Sequence, residues 1–592
     1  MLKNKKIYLF IFTFIFSLLI MMGVSEVYAA NTNLTVPASY SINVGKTKKI
    51  SAKINGKKVS YSKNKSKFTF KSSKKSVATV SSKGLITAKK AGTTYITVKL
   101  KSNKKVSKKI TVTVKGGSSG LDLDGSDVNY IVGSTGKIRT VYNGKKLGYG
   151  TPKYKTSNKK VATVSNGTIT AKKKGTAKIT VKYKGKSKKI TVNVYSKGTN
   201  NFYISKNSLP INGAALNYST YNSKSRDTYV FRSYMEYFEK VGGGTLNITS
   251  GIFNLSGAIY VPSNVTINFS NGVVINKTSN TGTSKLSSAG SMFMCVKPSN
   301  SQKNSMYGGY DGEKNISFIG NGNVTINMED TPSEKSGMAI VMGHNKNINI
   351  SGITFTNMKH GHFLEMDASD GVNITNCVFK NQVQTDEGSR DECINLDTPD
   401  PVTNGFNHGW SKKDCTPNQN VTIKSCKFNN IQVGIGTHRY SKNKYHTNIT
   451  IDNCNIENSR FYAIDARNWQ NLNITNNNIN GVGESTSGVH YSNTYYQKTR
   501  AIFMGGCSEF NIKGNTIKNV YFPIFACPVY NTNYPISYNT GLDSATCNNI
   551  ATQNTFSDYE EGTIFRVYTN IITSGSSGFS VEPGSYANYP TI

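Results

Sequence analysis

Two hydrophobic rhythms run along this chain. Between residues 31 and 195, short alternating runs of β-branched residues such as ITVTV and ITVNV are separated by Gly, Asn and Ser. That is the pattern of half-buried strands in small β-sandwiches. From about residue 201 the runs become a repeat: NVTINFSNG (264–272), NISFIGNG (315–322), INISGITFTN (348–357), VNITNCVFKN (372–381), VTIKSCKFNN (421–430), ITIDNCNIEN (449–458), LNITNNNING (472–481) and FNIKGNTIKN (510–519). Each copy is a strand–turn–strand unit. A second strand type lies between copies, with Leu364, Ile394, Ile435, Ile464, Ile502, Ile524 and Ile564 at its inward position. This alternation predicts a right-handed parallel β-helix whose coils stack roughly 4.8 Å apart. Arg226–Lys240 carries Phe231, Tyr234, Met235 and Phe238 at helical spacing before three glycines, which predicts one amphipathic helix capping the β-helix.

The same alternation sorts the polar residues. If Leu364, Ile394, Ile435 and Ile464 are superposed, Glu365/Asp367, Asn395/Asp397, Gly436/His438 and Asp465/Arg467 fall on the outer face in one column. Two insertions, QTDEGSRDE (384–392) and DPVTNGFNHGWSKKDCTPNQ (400–419), flank the strand bearing Asp397. Long loops beside one strand of a regular scaffold are where function is usually placed. The second brings Trp410, a candidate sugar-stacking surface. Residues 365–400 hold nine carboxylates against only Lys380 and Arg390. Such crowding calls for retained protons or for cations.

Glycoside hydrolysis uses carboxyl pairs of this kind, one protonated as acid and one ionised as base or nucleophile. Asp397 and Asp367, on neighbouring coils, are the first choice for that pair, with Glu392 as the alternative acid. His438 would relay a proton or bind substrate, and Glu365, Asp465, Arg439 and Arg467 would hold sugar hydroxyls or anionic groups. Ca²⁺ would suit the same clustered oxygens, and a β-eliminating lyase acting on uronate polymers is then the alternative; the sequence leaves the metal undecided. A glycan-binding adhesin without catalysis is a third reading. Cys377, Cys426, Cys454, Asn477 and Asn515 share one repeat position and should form an internal ladder, not a metal site.

Composition adds the setting. A basic start, an apolar run from Ile7 to about Met22 and a small-residue site at Ala29 read as a signal peptide (1–29), so an exported protein, secreted or held at the cell surface, is expected. The net charge of +40 is uneven: residues 1–200 hold 43 of the 72 Lys and Arg and four acids. The remainder is close to neutral. Lysine-rich modules on an exported chain would suit an anionic cell-wall polymer better than nucleic acid. The organisation expected is thus a signal peptide, a first β-domain (31–115), a linker (116–127), a second β-domain (128–195) and a β-helix (201–592) carrying the site, in a monomer.

Two resemblances refine this. SVATVSSKGLITAKKAGTTYITVKL (76–100) and KVATVSNGTITAKKKGTAKITVKY (160–183) are copies of one pattern and resemble bacterial immunoglobulin-like (Big-2 type) domains, which implies two Ig-like sandwiches acting as spacers or adhesion units. The β-helix resembles the pectin-lyase-like superfamily, and RDECINL (390–396) is similar to the D-D-C-I-A segment of polygalacturonases. That likeness implies catalytic roles for Asp391 and Glu392, with Asp367 upstream. The G-H-G histidine of that family has no counterpart, since Ile431 stands in its place, and R-I-K is echoed only by Asp465-Ala466-Arg467. The motif set therefore fits a distinct carbohydrate-active β-helix family better than the polygalacturonases themselves.

Overall fold

The computed structural model describes residues 33–58, 68–103, 105–115, 120–382, 391–483, 500–531, 534–559 and 564–568, and the short strands 572–575, 578–581 and 586–589. The expected signal peptide lies outside these residues, as do 116–119 of the linker and 384–390 of the first insertion. The described residues up to Asp122, with Val141–Leu147, form one compact unit; Leu123–Thr140 and the chain from Gly148 onward form a second.

In the first unit, Phe68–Ser72, Gly92–Leu100 and Ser107–Lys115 make an antiparallel sheet with Ser39–Asn43 parallel at its edge. Its inner residues Ile96, Val98, Ile110 and Val112 are fully buried in one cluster with Ala78 and Ile86 of the second sheet. This is an Ig-like β-sandwich. The second unit repeats the sheet order with Lys153–Thr156, Gly175–Tyr183, Lys186–Tyr195 and Asp127–Ile131. This second sandwich is not a free spacer. Asn129 donates to the Tyr234 hydroxyl at 2.8 Å, the Ile131 N–H donates to Asn212 at 2.9 Å, and Ile131 joins the apolar core of the β-helix.

The β-helix is built from strands stacked in parallel. Ten of them, from Asn201–Ser205 to Ser508–Lys513, form one sheet. The helix Arg226–Val241 buries Val230, Phe231, Tyr234, Met235 and Phe238 against the first coils and stops at Gly242, whose φ of 86° only glycine adopts readily.

The turn inside each strand–turn–strand unit explains the abundance of Asn. Asn376, Ser425, Asn453 and Asn476 hold φ between 53° and 57° at equivalent places, and short polar side chains tolerate that left-handed conformation best. The next residue points inward and donates to the coil before it. The thiols of Cys377, Cys426 and Cys454 lie 3.6–3.7 Å from the carbonyls of Ile350, Ile374 and Ile423, and the amides of Asn477 and Asn515 do the same at 2.9 and 2.8 Å to Ile451 and Ile474. The ladder is thus a column of donors and not only of small apolar groups. All nine cysteines are free thiols.

Inside, Phe379 is stacked between Phe355 and Phe428, with ring centroids 5.1 and 4.9 Å away. Removing its ring leaves a void between two coils that cannot collapse independently. Phe379→Ala should destabilise the β-helix by about 3–5 kcal/mol, read as a lowered urea midpoint by tryptophan fluorescence, while Lys380→Ala beside it, on the outer face, should leave the midpoint unchanged.

Candidate active site on the outer face of the β-helix

The acidic column rests on five neighbouring strands. Gly361–Asp367 pairs with Glu392–Asp397 so that Leu364 meets Ile394, Glu365 meets Asn395 and Asp367 meets Asp397. The next coils continue the register through Ile435 and Gly436 to Ile464 and Asp465, and then to Ile502 and Phe503. The column is nearly closed to solvent: Asp367 is 0 % exposed, and Glu365, Glu392, Asp397 and Asp465 are each 2 % exposed. Apolar clusters lie on the coils to either side. Met294, Val341, Phe406 and Trp410 gather on one, and Val433, Tyr462, Phe503 and Phe525 on the other.

Each carboxyl has a different environment. Asp397 accepts the backbone N–H of His438 at 2.8 Å and of Arg439 at 2.6 Å. Those donors favour its anion, but burial and the nearby Glu365 outweigh them and lift its pKa to about 7. Neither Asp367 oxygen accepts from a backbone N–H or an amide, and its nearest polar neighbour is the carboxyl of Glu365. Burial, then Glu365 and Asp397, hold its carboxyl well above the usual carboxylate range. Glu365 receives the Asn395 amide at 3.2 Å on both oxygens and is also raised by burial. Burial lifts Glu392 to about 8, against the pull of His362.

His362 was not legible as part of this site. Its Nε2 is 3.7 Å from Glu365 and its Nδ1 is 3.6 Å from Glu392. Burial alone would lower its pKa, but Glu365, Glu392 and Asp391 prevail and lift it to about 9. Strict alternation from Leu364 turns His362 inward; in the structure Phe363 and Leu364 both enter the core, which reverses the phase. The same break at Cys393 and Ile394 turns Glu392 outward. A polar residue followed by two core residues at the start of both strands is the signal that could have shown it. Asn418 is a second omission: its amide donates to the carbonyls of Met366 and Asp397 at 3.1 and 3.0 Å, tying the two acid-bearing strands together.

Other candidates are placed differently. Asp391 accepts the Gly361 N–H at 2.6 Å and bonds the His360 ring at 3.0 Å, so its carboxyl pins one coil to the next. Trp410 is 2 % exposed and packs edge-on to Phe406 and Tyr307; it anchors its loop and offers no face to a sugar. Arg467 is held by two hydrogen bonds to Asp465, at 2.9 and 2.7 Å. Arg439 donates to the Thr403 carbonyl at 2.5 Å, and His438 beside it is exposed at the edge of the column. Among the described residues no three or more His, Cys, Asp or Glu side chains are grouped to hold a metal ion.

Residues 30–119 match the family model of the bacterial Ig-like domain (group 2). No curated protein matches the chain. Among solved structures, it is similar to PfbA, a surface adhesin of Streptococcus pneumoniae, at 18% identity over 52% of this chain and 74% of that one, with a TM-score of 0.39. Domains 4 and 5 of the S-layer protein SbsC align at 21% identity over 28% of this chain and 98% of theirs, with a TM-score of 0.18. A protein of Parabacteroides merdae provisionally called a glycosyl hydrolase aligns at 15% identity over 45% of this chain and 90% of its own, with a TM-score of 0.24. At these identities and scores the likeness decides nothing about the chemistry of the column.

The raised carboxyls set the pH dependence of stability. Their folded pKa values lie above the ordinary carboxylate range, so as pH rises the unfolded chain gives up protons that the folded cluster still holds. Stability therefore falls between about pH 4 and pH 8. Asp367→Asn removes one of the buried acids without changing its shape. It should raise Tm at pH 8 by about 2–4 °C for each kcal/mol that burying this acid costs there and leave Tm at pH 4 unchanged, by differential scanning calorimetry.

Proposed function

We propose that the β-helix is a carbohydrate-active enzyme working outside the cell, a glycoside hydrolase in which Asp367 is the acid and Asp397 the nucleophile. The observation that carries this reading is the contrast between two carboxyls in register on adjacent strands. Asp367 is sealed from solvent beside Glu365 with its carboxyl held well above the usual range, whereas the Asp397 carboxyl is met by two backbone N–H donors that favour its anion. Enzymes of this class need such a pair with separated pKa values. Export remains part of the proposal; in the described residues no helix is long and apolar enough to cross a membrane.

In this scheme a sugar enters past the exposed His438 and Arg439. The Asp367 proton passes to the glycosidic oxygen as its bond to the anomeric carbon breaks, and an Asp397 oxygen bonds to that carbon. Water then gives a proton to Asp367 and its oxygen displaces Asp397, restoring both groups. Asp367 and Asp397 are register partners on adjacent strands, and the scheme is that of a retaining enzyme, whose carboxyls stand ~5–5.5 Å apart. His362 holds Glu365 and Glu392 in place beside the pair and limits the negative charge there.

Incubating the purified protein with a broad glycan panel should release reducing ends, and the first product anomer seen by NMR should keep the configuration of the substrate. Asp397→Asn and Asp367→Asn should each lower kcat by about 10²–10⁴-fold. No reducing ends from any glycan would sink the hydrolase. An absorbing unsaturated uronate product would point to the lyase instead, and binding that persists unchanged in Asp397→Asn without turnover would point to an adhesin.

A further inference from the structure

The lysines of the two sandwiches are arranged, and not only abundant. In the first, the outward Thr97 at the centre of the sheet is flanked across the strands by Lys71 on one side and Lys109 on the other. Lys99 stands two residues along the central strand on the same face. In the second, Thr180 is flanked by Lys155 and Lys189, with Lys182 two residues along. The inward neighbours Ile96 and Val98, and Ile179 and Val181, are fully buried, which fixes the six lysines on the outer face; all six are exposed. None of the six forms an ion pair among the described residues. The residues around the motif have diverged: Thr69 is matched by Lys153, and Tyr95 by Lys178.

We infer that this Lys–Thr–Lys face, present once on each sandwich, is a docking surface for a linear phosphodiester polymer of the polyol-phosphate kind. Charge complementarity is the first argument. Residues 1–200 carry 43 Lys and Arg against four acids, and no Asp or Glu lies in the strands Ser39–Asn43, Phe68–Ser72, Gly92–Leu100 or Ser107–Lys115 of the first sheet. Geometry is the second. The central Thr separates the flanking lysines by two strand spacings, roughly 9–10 Å. That is about a Debye length at physiological salt, so their mutual repulsion is small while all three still reach one extended chain. Residue type is the third. Arg139 is the one arginine in residues 1–200. Recognition of carboxylates by shape favours the arginine fork, whereas lysine binds as a point charge and suits a singly charged phosphodiester. The inference is independent of the chemistry assigned to the acidic column.

The test is co-sedimentation of the full mature chain with insoluble poly(glycerol phosphate). Two variants accompany it: one with Lys71, Lys99, Lys109, Lys155, Lys182 and Lys189 changed to Gln, and one with the turn lysines Lys74, Lys89, Lys90, Lys159, Lys172 and Lys173 changed to Gln, which removes the same charge elsewhere. The parent should bind with an affinity that falls steeply with salt and is flat from pH 5 to 8. The face variant should lose at least about tenfold in affinity, and its log K against log [salt] slope should shrink by about 4, near 0.7 for each lost contact. The turn variant should keep most of the binding. Three results overturn the inference: no binding by the parent, equal loss in both variants, or equal binding to polygalacturonate. Circular dichroism of both variants, expected to match the parent, separates lost binding from lost fold.

Discussion

In-register stacking of one coil on the next is the constraint on which the β-helix depends. Because strands are parallel and about one hydrogen-bond spacing apart, every side chain lies over its counterpart in the coil below. A residue type that suits the inside therefore recurs as a column, as Ile374, Ile423, Ile451 and Ile474 do in the long sheet. The same rule makes the outer face a column too. Like charges then stand directly over one another, which ordinary sheets avoid. Asp367 over Asp397 is such a contact, and both carboxyls are raised above the usual range, first by burial and then by the acids around them.

Much of this fold is visible in the sequence because its signals are local. The period of the repeat, the αL residues at each turn and the inward Ile positions all follow from neighbours a few residues apart. The order of the outer column was equally legible, since the register carries Leu364 to Ile394, Ile435 and Ile464, the shift between Ile431 and Val433 falling before the column is reached. What was hidden is where alternation breaks. His362 turns outward only because Phe363 and Leu364 are both core residues, and two adjacent apolar residues look the same in a strand, a bend or a loop. Trp410 misled for a related reason: a sequence shows that an aromatic is in a loop, but not that Phe406 and Tyr307 will cover it. Asp391, adjacent to Glu392, is diverted by partners thirty residues back, Gly361 and His360, which no local pattern reveals.

The rigidity of the site comes from elsewhere than the acids. Asn418, fully buried, bridges Met366 and Asp397 through their carbonyls, and its backbone N–H donates to His446 at 2.9 Å. Asp400 takes the N–H groups of Val402 and Thr403 and the Ser441 hydroxyl, folding the long loop back onto the next coil. Arg439 is engaged twice, by backbone to Asp397 and by side chain to Thr403. The long insertion thus holds the N–H groups that face Asp397, and the loop's polar residues act as its fasteners.

The uneven charge of the chain bears on the same carboxyls. A free cation within a few ångströms lowers a carboxyl pKa by about 1–3 units, which would offset the rise at Asp367. The cations near the column are each committed: Arg467 to Asp465 through two hydrogen bonds, and Arg439 to a carbonyl of the loop. His362, shared between Glu365 and Glu392, offsets charge beside the pair and makes no ion pair with Asp367 or Asp397 themselves. Lysines are gathered instead in the two sandwiches, whose exposed faces can carry them without burial. A chain with the same net charge spread evenly would have put ammonium groups on the β-helix coils and lost the raised pKa values that distinguish the column from an ordinary polar face.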